Sequence, residues 1–406
     1  MNTRYDMIVV GAGISGLAMA FEAKQAGLNV LVLEKEAQLG GCFHSALVLD
    51  HAQIPDDEQG FWLEMGTHTC FNSYGRLLNL LKRLALIDQM QPREKLRYRL
   101  WVDGAMCSIP SRLHFFELIR HAWRMFSLEK KDISVADYYG AVVGPANYDE
   151  VFQHALAAVL CQPVADVPAD MLFRKRPRDK SITRSYTFAG GLSDIITALA
   201  EQLTVKNNQQ ISSIQFNGPD HSEQCYTIET AAGVYHCNQL VCATPALAAS
   251  RLLKDAHADI AEQLGWVHEV EIESVAVAID KKDLSLPAMA GVIAIDGDFY
   301  SAVSRDFIEH PRWRGFTFHF KPGVLNEAEK TQRICDVLQL KQAALAHVFH
   351  HTNRLPAPDM GHHALTHGLD AALLDQPLAL VGNYFDGVAV EDCLERVEKE
   401  FARLSR

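Results

Sequence analysis

The chain lacks the features that mark several large classes of protein. No apolar run approaches the ~20 residues with which a helix spans a bilayer. A formal net charge of −12 argues against nucleic acid as a partner. Nine cysteines without a C-x-x-C pair fit reduced thiols, and the apolar N-terminal stretch is too rich in glycine for a signal peptide. These absences predict a cytoplasmic protein whose 406 residues, 48% of them apolar, suffice for two domains.

Motifs of hydrolysis and phosphoryl transfer are missing as well. The sequence has no P-loop and no H-E-x-x-H zinc motif. No Ser-His-Asp set and no pair of catalytic carboxylates stands out. The sequence therefore gives no motif evidence for hydrolysis or phosphoryl transfer.

The most informative segment that is present lies at residues 5–35. An apolar strand leads into Gly11-Ala12-Gly13-Ile14-Ser15-Gly16, and a helix rich in small residues follows. A second strand, Val30–Leu33, ends on Glu34. A G-x-G-x-x-G turn between a strand and a helix, with an acid after the next strand, predicts a dinucleotide-binding site.

Each part of this turn has a physical task. Gly11 allows the tight turn, Gly13 lets a pyrophosphate approach the backbone, and Gly16 lets the helix lie close to the strand. The first N–H groups of the helix, including those of Ile14 and Ser15, lack partners within it. They carry a partial positive charge that holds phosphates.

The residues after the second strand distinguish FAD from NAD. Glu34, 18 positions beyond Gly16, is placed to accept hydrogen bonds from a ribose hydroxyl and disfavours NADP by charge repulsion. Gly40-Gly41 follows six positions later, which suggests a second stretch of backbone against the cofactor. A long, enclosed FAD needs such a contact, whereas a nicotinamide dinucleotide has no evident need for it. FAD is therefore the expected cofactor.

Four segments resemble, in order, those of flavin amine oxidases and protoporphyrinogen oxidases. Residues 34–42 resemble their E-x-x-x-x-x-G-G-R segment, with Cys42 in place of the usual arginine. Residues 64–68 (E-M-G-T-H) resemble a turn beside the flavin ring. Residues 188–194 (F-A-G-G-L-S-D) resemble a segment that opens a helix, and residues 239–245 (Q-L-V-C-A-T-P) resemble a strand that precedes another helix.

A fifth segment, residues 380–393, is the sharpest match. Its sequence, L-V-G-N-Y-F-D-G-V-A-V-E-D-C, is similar to the closing motif G-N-Y-x-x-G-V-x-V-x-D-C of protoporphyrinogen oxidases. It differs from the G-E-x-T form typical of amine oxidases, so the protoporphyrinogen-oxidase-like branch is preferred. A helix starting near Gly387 would point its N-terminus at the flavin N1/O2 edge, where its dipole stabilises an anion by ~0.3–1 kcal/mol.

The resemblance implies an α/β fold with a Rossmann-like FAD-binding domain of the glutathione-reductase type and an interleaved α+β substrate domain. The FAD-binding domain is expected from residues 1–72, 186–254 and 362–406. The substrate domain is expected from residues 73–185 and 255–361.

The resemblance also implies a set of residues at the cofactor. These are Gly11, Gly13, Ile14, Ser15, Gly16, Glu34, Lys35, Gly40, Gly41, Cys42, Gly66, Thr67, His68, Val205, Gly382, Asn383, Gly387, Val388 and Val390. His68 and Tyr384 are the catalytic candidates, and Phe385 is a further wall residue. His68 is suited to accept a proton because its unperturbed pKa lies near neutral pH, although the plainer interpretation is that only its backbone lines the flavin. Packing is favoured over a covalent or redox role for Cys42.

The implied function is an FAD-dependent oxidase or dehydrogenase. It would remove a hydride and a proton from a C–N or C–C unit of an apolar or cyclic small molecule, with a porphyrinogen as the leading class. The reduced flavin would then be reoxidised by oxygen or another acceptor. The alternatives are an amine oxidase, for which Lys321 is the only nearby candidate lysine, an isoprenoid desaturase or dehydroxylase, and a flavin-binding scaffold without turnover.

Two further surface features have alternative interpretations. A basic run is formed by Arg174, Lys175, Arg176, Arg178, Lys180 and Arg184. A solvated loop is favoured for it, and contact with substrate carboxylates or anionic lipid headgroups is the alternative. An apolar helix is predicted over residues 113–126. Core packing is favoured for this helix over a pocket wall or a peripheral membrane contact.

His362, His363 and His367 have a spacing that a metal ion could use on a helix. No carboxylate or thiolate with matching spacing lies nearby in sequence. His362 instead matches a G-H pair that precedes the last helix in the family, so no metal site is predicted.

Apolar periodicity predicts the other elements. Helices are expected over residues 74–87 and 331–350, and a hairpin over residues 96–109 with Asp103-Gly104 as its turn. Strands are expected over residues 203–205, 211–216, 226–230, 234–237, 270–279 and 316–320.

Overall fold

The computed structural model describes residues 3–49, 60–218, 225–295 and 297–406. Its strands are β1 (Thr3–Val10), β2 (Val30–Leu33), β3 (Ser45–Leu49), β4 (Phe61–Glu64), β5 (Cys70–Phe71), β6 (Gln91–Pro92), β7 (Tyr98–Val102), β8 (Ala105–Ser108), β9 (Ser185–Thr187), β10 (Val205–Lys206), β11 (Ile211–Phe216), β12 (Tyr226–Thr230), β13 (Gly233–Cys242), β14 (Glu269–Asp280), β15 (Gly291–Ala294), β16 (Phe299–Ser304), β17 (Trp313–Phe320), β18 (Leu345–Pro356) and β19 (Leu378–Leu380). Its α-helices are α1 (Ile14–Gln25), α2 (Gly75–Arg83), α3 (Phe115–His121), α4 (Val135–Val143), α5 (Pro145–Asn147), α6 (Gln153–Leu160), α7 (Ser193–Glu201), α8 (Ala246–Leu253), α9 (Ala258–Gly265), α10 (Glu327–Leu338), α11 (His362–Leu373) and α12 (Val390–Leu404).

The first sheet brings together segments from both ends of the chain. Its order is β10-β2-β1-β13-β12-β11, and β19 pairs with the second half of β13. β1 runs parallel to both β2 and β13, so the carboxyl ends of these strands meet at one edge. The loops that follow Val10, Leu33 and Cys242 therefore share that edge, where nucleotides bind in sheets of this type.

β1 is apolar along its length because both faces of the sheet are covered. Met7 and Val9 pack with α1, α2, α7 and α12 on one face, whereas Ile8 and Val10 pack with α8, α9 and α11 on the other. A strand buried on both sides reads as a continuous apolar run rather than an alternating one.

The second sheet has the order β18-β14-β17-β16-β15-β7-β8. The expected strands over residues 270–279 and 316–320 are confirmed as parts of β14 and β17, and the expected hairpin is confirmed as β7 and β8. The β3–β4 pair packs on this sheet, because Phe61, Leu63 and Met65 lie against Ala276 and Ala278 of β14.

The prediction of a helix over residues 331–350 is wrong in its second half. α10 ends at Leu338, since Gln339 takes a left-handed conformation with φ of +56°. Leu345–Pro356 is a strand that pairs with β14 from Glu269 to Ile279. Pairing with a long, distant strand outweighs the local helical pattern, which the sequence alone does not report.

The interpretation of residues 113–126 as a core helix is also wrong. The segment forms α3 and a short 3₁₀ turn, Ala122–Phe126, and none of its residues is fully buried. Phe116 and Phe126 are 93% and 85% exposed. The apolar side chains lie on the solvent face because polar residues occupy the inner face, as described below.

Candidate flavin site

The loop after β1 is shaped by two close approaches of backbone. Gly11 has a φ of +103°, and a Cβ there would lie 2.7 Å from the carbonyl oxygen of Ala243. A Cβ on Gly16 would overlap the carbonyl oxygen of Gly11. The Gly11 N–H donates to the Leu33 carbonyl at 2.8 Å, which ties the loop to β2. Only glycine fits at Gly11 and Gly16.

A second glycine loop folds back onto the first. The Gly40 N–H donates to the Ala12 carbonyl at 2.9 Å, and Gly13 and Gly40 form an isolated parallel bridge. Gly13 begins α1 without a capping side chain, and the nearest atom to a Cβ there is the Gly40 carbonyl oxygen, 3.8 Å away. The two loops form a groove of backbone at the positive end of α1.

Glu34 lies at the end of β2 beside these loops. One carboxylate oxygen accepts the Ala12 N–H at 2.7 Å, and the other accepts the Glu36 N–H at 2.9 Å. Each oxygen keeps a further lone pair for a hydroxyl donor. Lys35 is exposed and pairs with Glu36 at 3.1 Å, while Val205 lies one strand away, paired with Val32.

Glu64 connects two of the five resembling segments with Ser45, at the start of β3. Its buried carboxylate accepts the Leu192 N–H at 2.7 Å and the Ser45 hydroxyl at 2.8 Å. Burial raises its pKa to about 7, against the opposing effect of these hydrogen bonds and of Arg93 and Arg305. The carboxylate therefore holds the turn after β4, the start of α7 and the segment after Gly41 in one arrangement.

The backbone after Gly41 also supports the turn that contains His68. The Thr67 N–H donates to the Cys42 carbonyl at 2.8 Å, and a Cβ on Gly66 would overlap that carbonyl. Burial raises the pKa of the Cys42 thiol to about 11. A thiol with this pKa stays protonated at neutral pH and is a poor nucleophile.

His68, which is partly exposed, forms one end of a chain of polar side chains whose other members, His319 and Ser274, are buried. Its Nε2 lies 2.7 Å from Nε2 of His319, and Nδ1 of His319 lies 3.0 Å from the hydroxyl of Ser274. Burial, then the charges of His319 and Arg93, hold the pKa of His68 well below its ordinary value. Burial lowers the pKa of His319 to about 4. Both imidazoles are therefore neutral at neutral pH.

Arg93 and Arg305 place positive charge beside this chain. Arg93 donates to the backbone carbonyl of His68, and its guanidinium lies 3.3 Å above the Phe307 ring. Arg305 stacks 4.3 Å above the Trp62 ring and donates to the Ile308 carbonyl at 2.8 Å. Burial lowers the pKa of each guanidinium to about 10, so both remain charged at neutral pH.

The closing motif ends in the first turn of α12, where the Cys393 thiol contacts the Ser15 side chain at the start of α1. A Cβ on Gly387 would lie 2.6 Å from the Asp392 carboxylate, and α12 begins at Val390. The Gly382–Asn383 turn follows β19, and the Tyr384 carbonyl lies 2.8 Å from Nε2 of His362.

Tyr384 itself is 1% exposed and packs with the apolar core on the α8, α9 and α11 face of the first sheet. Its ring lies 4.7 Å from that of Phe385, and burial raises the pKa of its hydroxyl well above the ordinary value. These contacts are those of a core residue. The catalytic role expected for Tyr384 stays a prediction, and His68 is the stronger candidate for proton transfer.

Part of the basic run has partners within the protein. Arg174 lies 3.0 Å from the Asp392 carboxylate, and Arg176 contacts the same carboxylate. The Glu391 carboxylate, next in sequence, accepts the Arg76 N–H at 3.0 Å at the start of α2. Two of the six basic residues therefore stabilise the first turn of α12.

The remaining sequence candidates lie elsewhere. Lys321 donates to the Gly297 carbonyl at 2.6 Å. His363 pairs with Asp170 at 2.9 Å. Within the described ranges, no group of three or more metal-binding side chains is found. Likewise, no helix in the part of the chain that the structure describes is long and apolar enough to cross a bilayer.

The structure brings the glycine loops, Glu34 and the His68 turn to one region, and it adds partners that motif analysis missed. His319, Ser274 and Arg93 lie in segments without a recognisable motif. Only Glu64 carried a signal, as the first letter of the E-x-G-x-H turn. A backbone-lined groove at a helix N-terminus with a carboxylate at its end fits an FAD molecule.

The fold and this site define a flavoprotein of the oxidoreductase class. The chain belongs to the flavin containing amine oxidoreductase family, whose model matches residues 14–279. FAD is its cofactor.

Individual relatives are distant. A segment of 68 residues is 43% identical to a probable flavin-containing monoamine oxidase A of Dictyostelium discoideum, and 89 residues are 33% identical to a 15-cis-phytoene desaturase of Narcissus pseudonarcissus. These segments are 17% and 22% of this chain, and each spans 14% of its relative's length. The fold is similar over the full length of both chains to that of a candidate protoporphyrinogen oxidase from Exiguobacterium sp. 255-15, with a TM-score of 0.80 and 17% identity.

Proposed function

We propose that the protein is an FAD-dependent oxidoreductase that removes a hydride and a proton from an apolar or cyclic substrate with carboxylate groups, most like a porphyrinogen. The observation that carries the proposal is the hydrogen-bonded chain from the partly exposed His68 through the buried His319 to Ser274. It offers neutral bases at the turn that resembles the family's flavin-ring contact.

The glycine loops and Glu34 are the proposed grip on the cofactor. The backbone of Gly11–Gly16 and of Gly40–Gly41 would hold the pyrophosphate, and Glu34 would accept from a ribose hydroxyl. Gly66–His68 and Gly387–Val390 would lie at the ring. Bound FAD supplies the hydride acceptor.

His68 is the proposed proton acceptor. When the Nδ1–H of His319 donates to Ser274, Nε2 of His319 accepts from the Nε2–H of His68, and Nδ1 of His68 is left with a lone pair. As the substrate loses a hydride from one atom, the adjacent atom loses its proton to this Nδ1. The double bond forms between these two substrate atoms. The proton taken up at Nδ1 allows the Nε2 proton to move to His319.

Arg93 and the position of Lys321 support the substrate class. A buried guanidinium anchored to the His68 carbonyl suits a carboxylate on the substrate. Lys321, the only candidate for an amine-oxidase lysine, is engaged with the Gly297 carbonyl. The closing motif, with G-N-Y in place of G-E-x-T, favours the same substrate class.

Two other activities, amine oxidation and desaturation of a polyene, are also supported by the comparisons. The family model describes amine oxidoreductases, and one relative is named as a phytoene desaturase. An amine and a polyene therefore belong in the same experiment as a porphyrinogen.

The test is anaerobic mixing of the FAD-loaded protein with protoporphyrinogen, with an aromatic amine and with phytoene. We expect the visible flavin absorbance to bleach with protoporphyrinogen alone, with porphyrin formed in proportion. Bleaching by the amine or the polyene, but not by the porphyrinogen, would replace the proposed substrate class. Absence of bleaching with all three would favour the scaffold.

The variant H68Q and the control H44Q separate catalysis from packing. His44 is another partly buried imidazole of this region, and its ring lies 4.7 Å from that of His351. We expect H68Q to bleach about 10²–10⁴-fold more slowly at unchanged FAD content, the usual range for loss of a general base. H44Q is expected to react like the wild type.

A further inference from the structure

Residues 115–126 present large apolar side chains to solvent over one continuous stretch. Six of them are more than half exposed: Phe115, Phe116, Ile119, Trp123, Met125 and Phe126. We call these six residues the α3 surface. Single exposed apolar residues are ordinary, but a contiguous cluster of this kind marks a binding surface.

The inner face of the same segment is polar and firmly bonded. The Glu117 carboxylate accepts the N–H groups of Ala146 and Asn147 at 3.1 and 3.0 Å. Nδ1 of His121 lies 3.0 Å from the Ala141 carbonyl, which Arg124 also contacts at 3.3 Å. These bonds fix which side of α3 faces the protein. The six apolar side chains of the α3 surface therefore face solvent, and a small rotation of the helix would not bury them.

The charge around the α3 surface is opposite to that of the whole chain. Among residues 112–132 the exposed charged side chains are the cations Arg112, Arg120 and Lys131 and the carboxylates Glu129 and Asp132, whereas Arg124 and Lys130 donate to backbone carbonyls of the protein. The chain as a whole has a net charge of −12. Arg120 and Lys131 are exposed, and Glu117 is occupied by the backbone N–H groups named above.

We propose that the α3 surface docks on an anionic lipid bilayer as a peripheral, non-spanning contact. Phenylalanine and isoleucine would enter the boundary of the acyl chains, Trp123 would lie at the level of the headgroups, and the cations would meet lipid phosphates. A symmetric dimer of two such surfaces would bring identical cations towards each other, which favours lipid over a second copy of this chain.

This docking places the flavin site near the membrane surface. Leu118 of α3 packs on the helical cluster formed by α4, α6 and the loop around Val164. Val388 of the closing motif packs on the same cluster. The α3 surface and the proposed flavin-ring contact are thus connected through one helical unit.

The test is co-sedimentation of the full FAD-loaded chain with vesicles of phosphatidylcholine, with and without phosphatidylglycerol. We expect binding to the anionic vesicles that weakens as salt is raised. F116S/F126S is expected to bind about 100-fold more weakly, about tenfold for each phenylalanine removed. R120Q is expected to lose about fivefold on anionic vesicles only.

A control variant tests whether the removal of any two exposed apolar side chains would weaken binding to vesicles. W266S/L374S changes two apolar residues that are also more than half exposed, just after α9 and α11, and it is expected to bind like the wild type. Unchanged thermal unfolding of F116S/F126S checks its fold. Wild-type protein that ignores both kinds of vesicle would overturn the proposal, and so would equal binding by F116S/F126S. Reversible self-association that is lost in F116S/F126S, without vesicle binding, would assign the surface to a second copy instead.

Discussion

The glycine loops of the first sheet and the pair formed by His68 and His319 differ in how far apart their parts lie in the sequence. Gly11, Gly16 and Glu34 act within one strand–helix–strand unit, and Gly40 follows six residues later. His68 and His319 are 251 residues apart. The loops depend on backbone requirements that a short sequence motif is enough to predict. The pair forms only when the turn after β4 packs against β17 of the second sheet.

The comparison also separates two kinds of constraint. At the loops, an added methyl group collides with backbone that has nowhere to move. At the pair, the two imidazoles can lie in contact because burial lowers the pKa of each and keeps both of them neutral. A steric clash at the glycine loops is expected to lower both the stability of the fold and the FAD content. Changes at the pair are expected to affect chemistry while the cofactor stays bound.

The largest effect is expected at Gly16. In G16A the new methyl group overlaps the Gly11 carbonyl, so the β1–α1 unit has to open, with a loss of roughly 3 kcal/mol or more in the free energy of unfolding. Thermal unfolding and the FAD content of the purified protein measure this. G140A is the matched control, because Gly140 lies in α4 with ordinary helical backbone and nothing approaches a Cβ there. Equal FAD content in both variants would contradict the steric argument.

The next effect is expected at Glu64. E64A leaves the buried Leu192 N–H and Ser45 hydroxyl without their acceptor, which costs about 1–3 kcal/mol for each group. E64Q keeps an acceptor oxygen for Leu192 and is expected to lose much less. Denaturant unfolding of the two variants compares them. Similar losses of unfolding free energy in E64A and E64Q would show that the site requires the charge of Glu64 rather than its hydrogen bonds.

A smaller change is expected in the pH dependence of flavin bleaching. Neutral His68 is the reactive form, so activity is present above its pKa and lost as the pH falls through it. Since burial and the charges of His319 and Arg93 lower that pKa, the acid limb is expected below the ordinary value of 6.5. H319Q removes one of these charges, and the limb is expected to move towards higher pH. An unmoved limb in H319Q would argue that His68 does not titrate in the reaction.

The smallest effect is expected at Cys42. Its thiol has a raised pKa, which disfavours a covalent or redox role. C42S is expected to bind FAD and bleach like the wild type, and denaturation is expected to release the flavin from both proteins. Flavin that stays with denatured wild-type protein but leaves denatured C42S would reverse this conclusion.

The sequence predicts well those elements whose requirements are local. The turn after β1, the second glycine pair and the hairpin β7–β8 each depend on residues close together in the chain. It fails at β18, where a helical pattern yields to pairing with β14. It fails again at α3, where the bonds of Glu117 and His121 decide which face is buried. His319 lay in an alternating strand and carried no motif, so only the packed structure reveals it. The domain boundaries and the cofactor contacts of individual residues stay predictions.

The strand order of the first sheet has a consequence for biosynthesis. β1 is synthesised more than 220 residues before its neighbour β13, and β19 is synthesised later still. A nascent chain would therefore hold an apolar, half-paired strand until β13 has been made, and non-local pairing of this kind is slow. Such a chain has reason to depend on chaperones, and FAD present once β13 and β19 have been made would favour closure of the sheet by mass action.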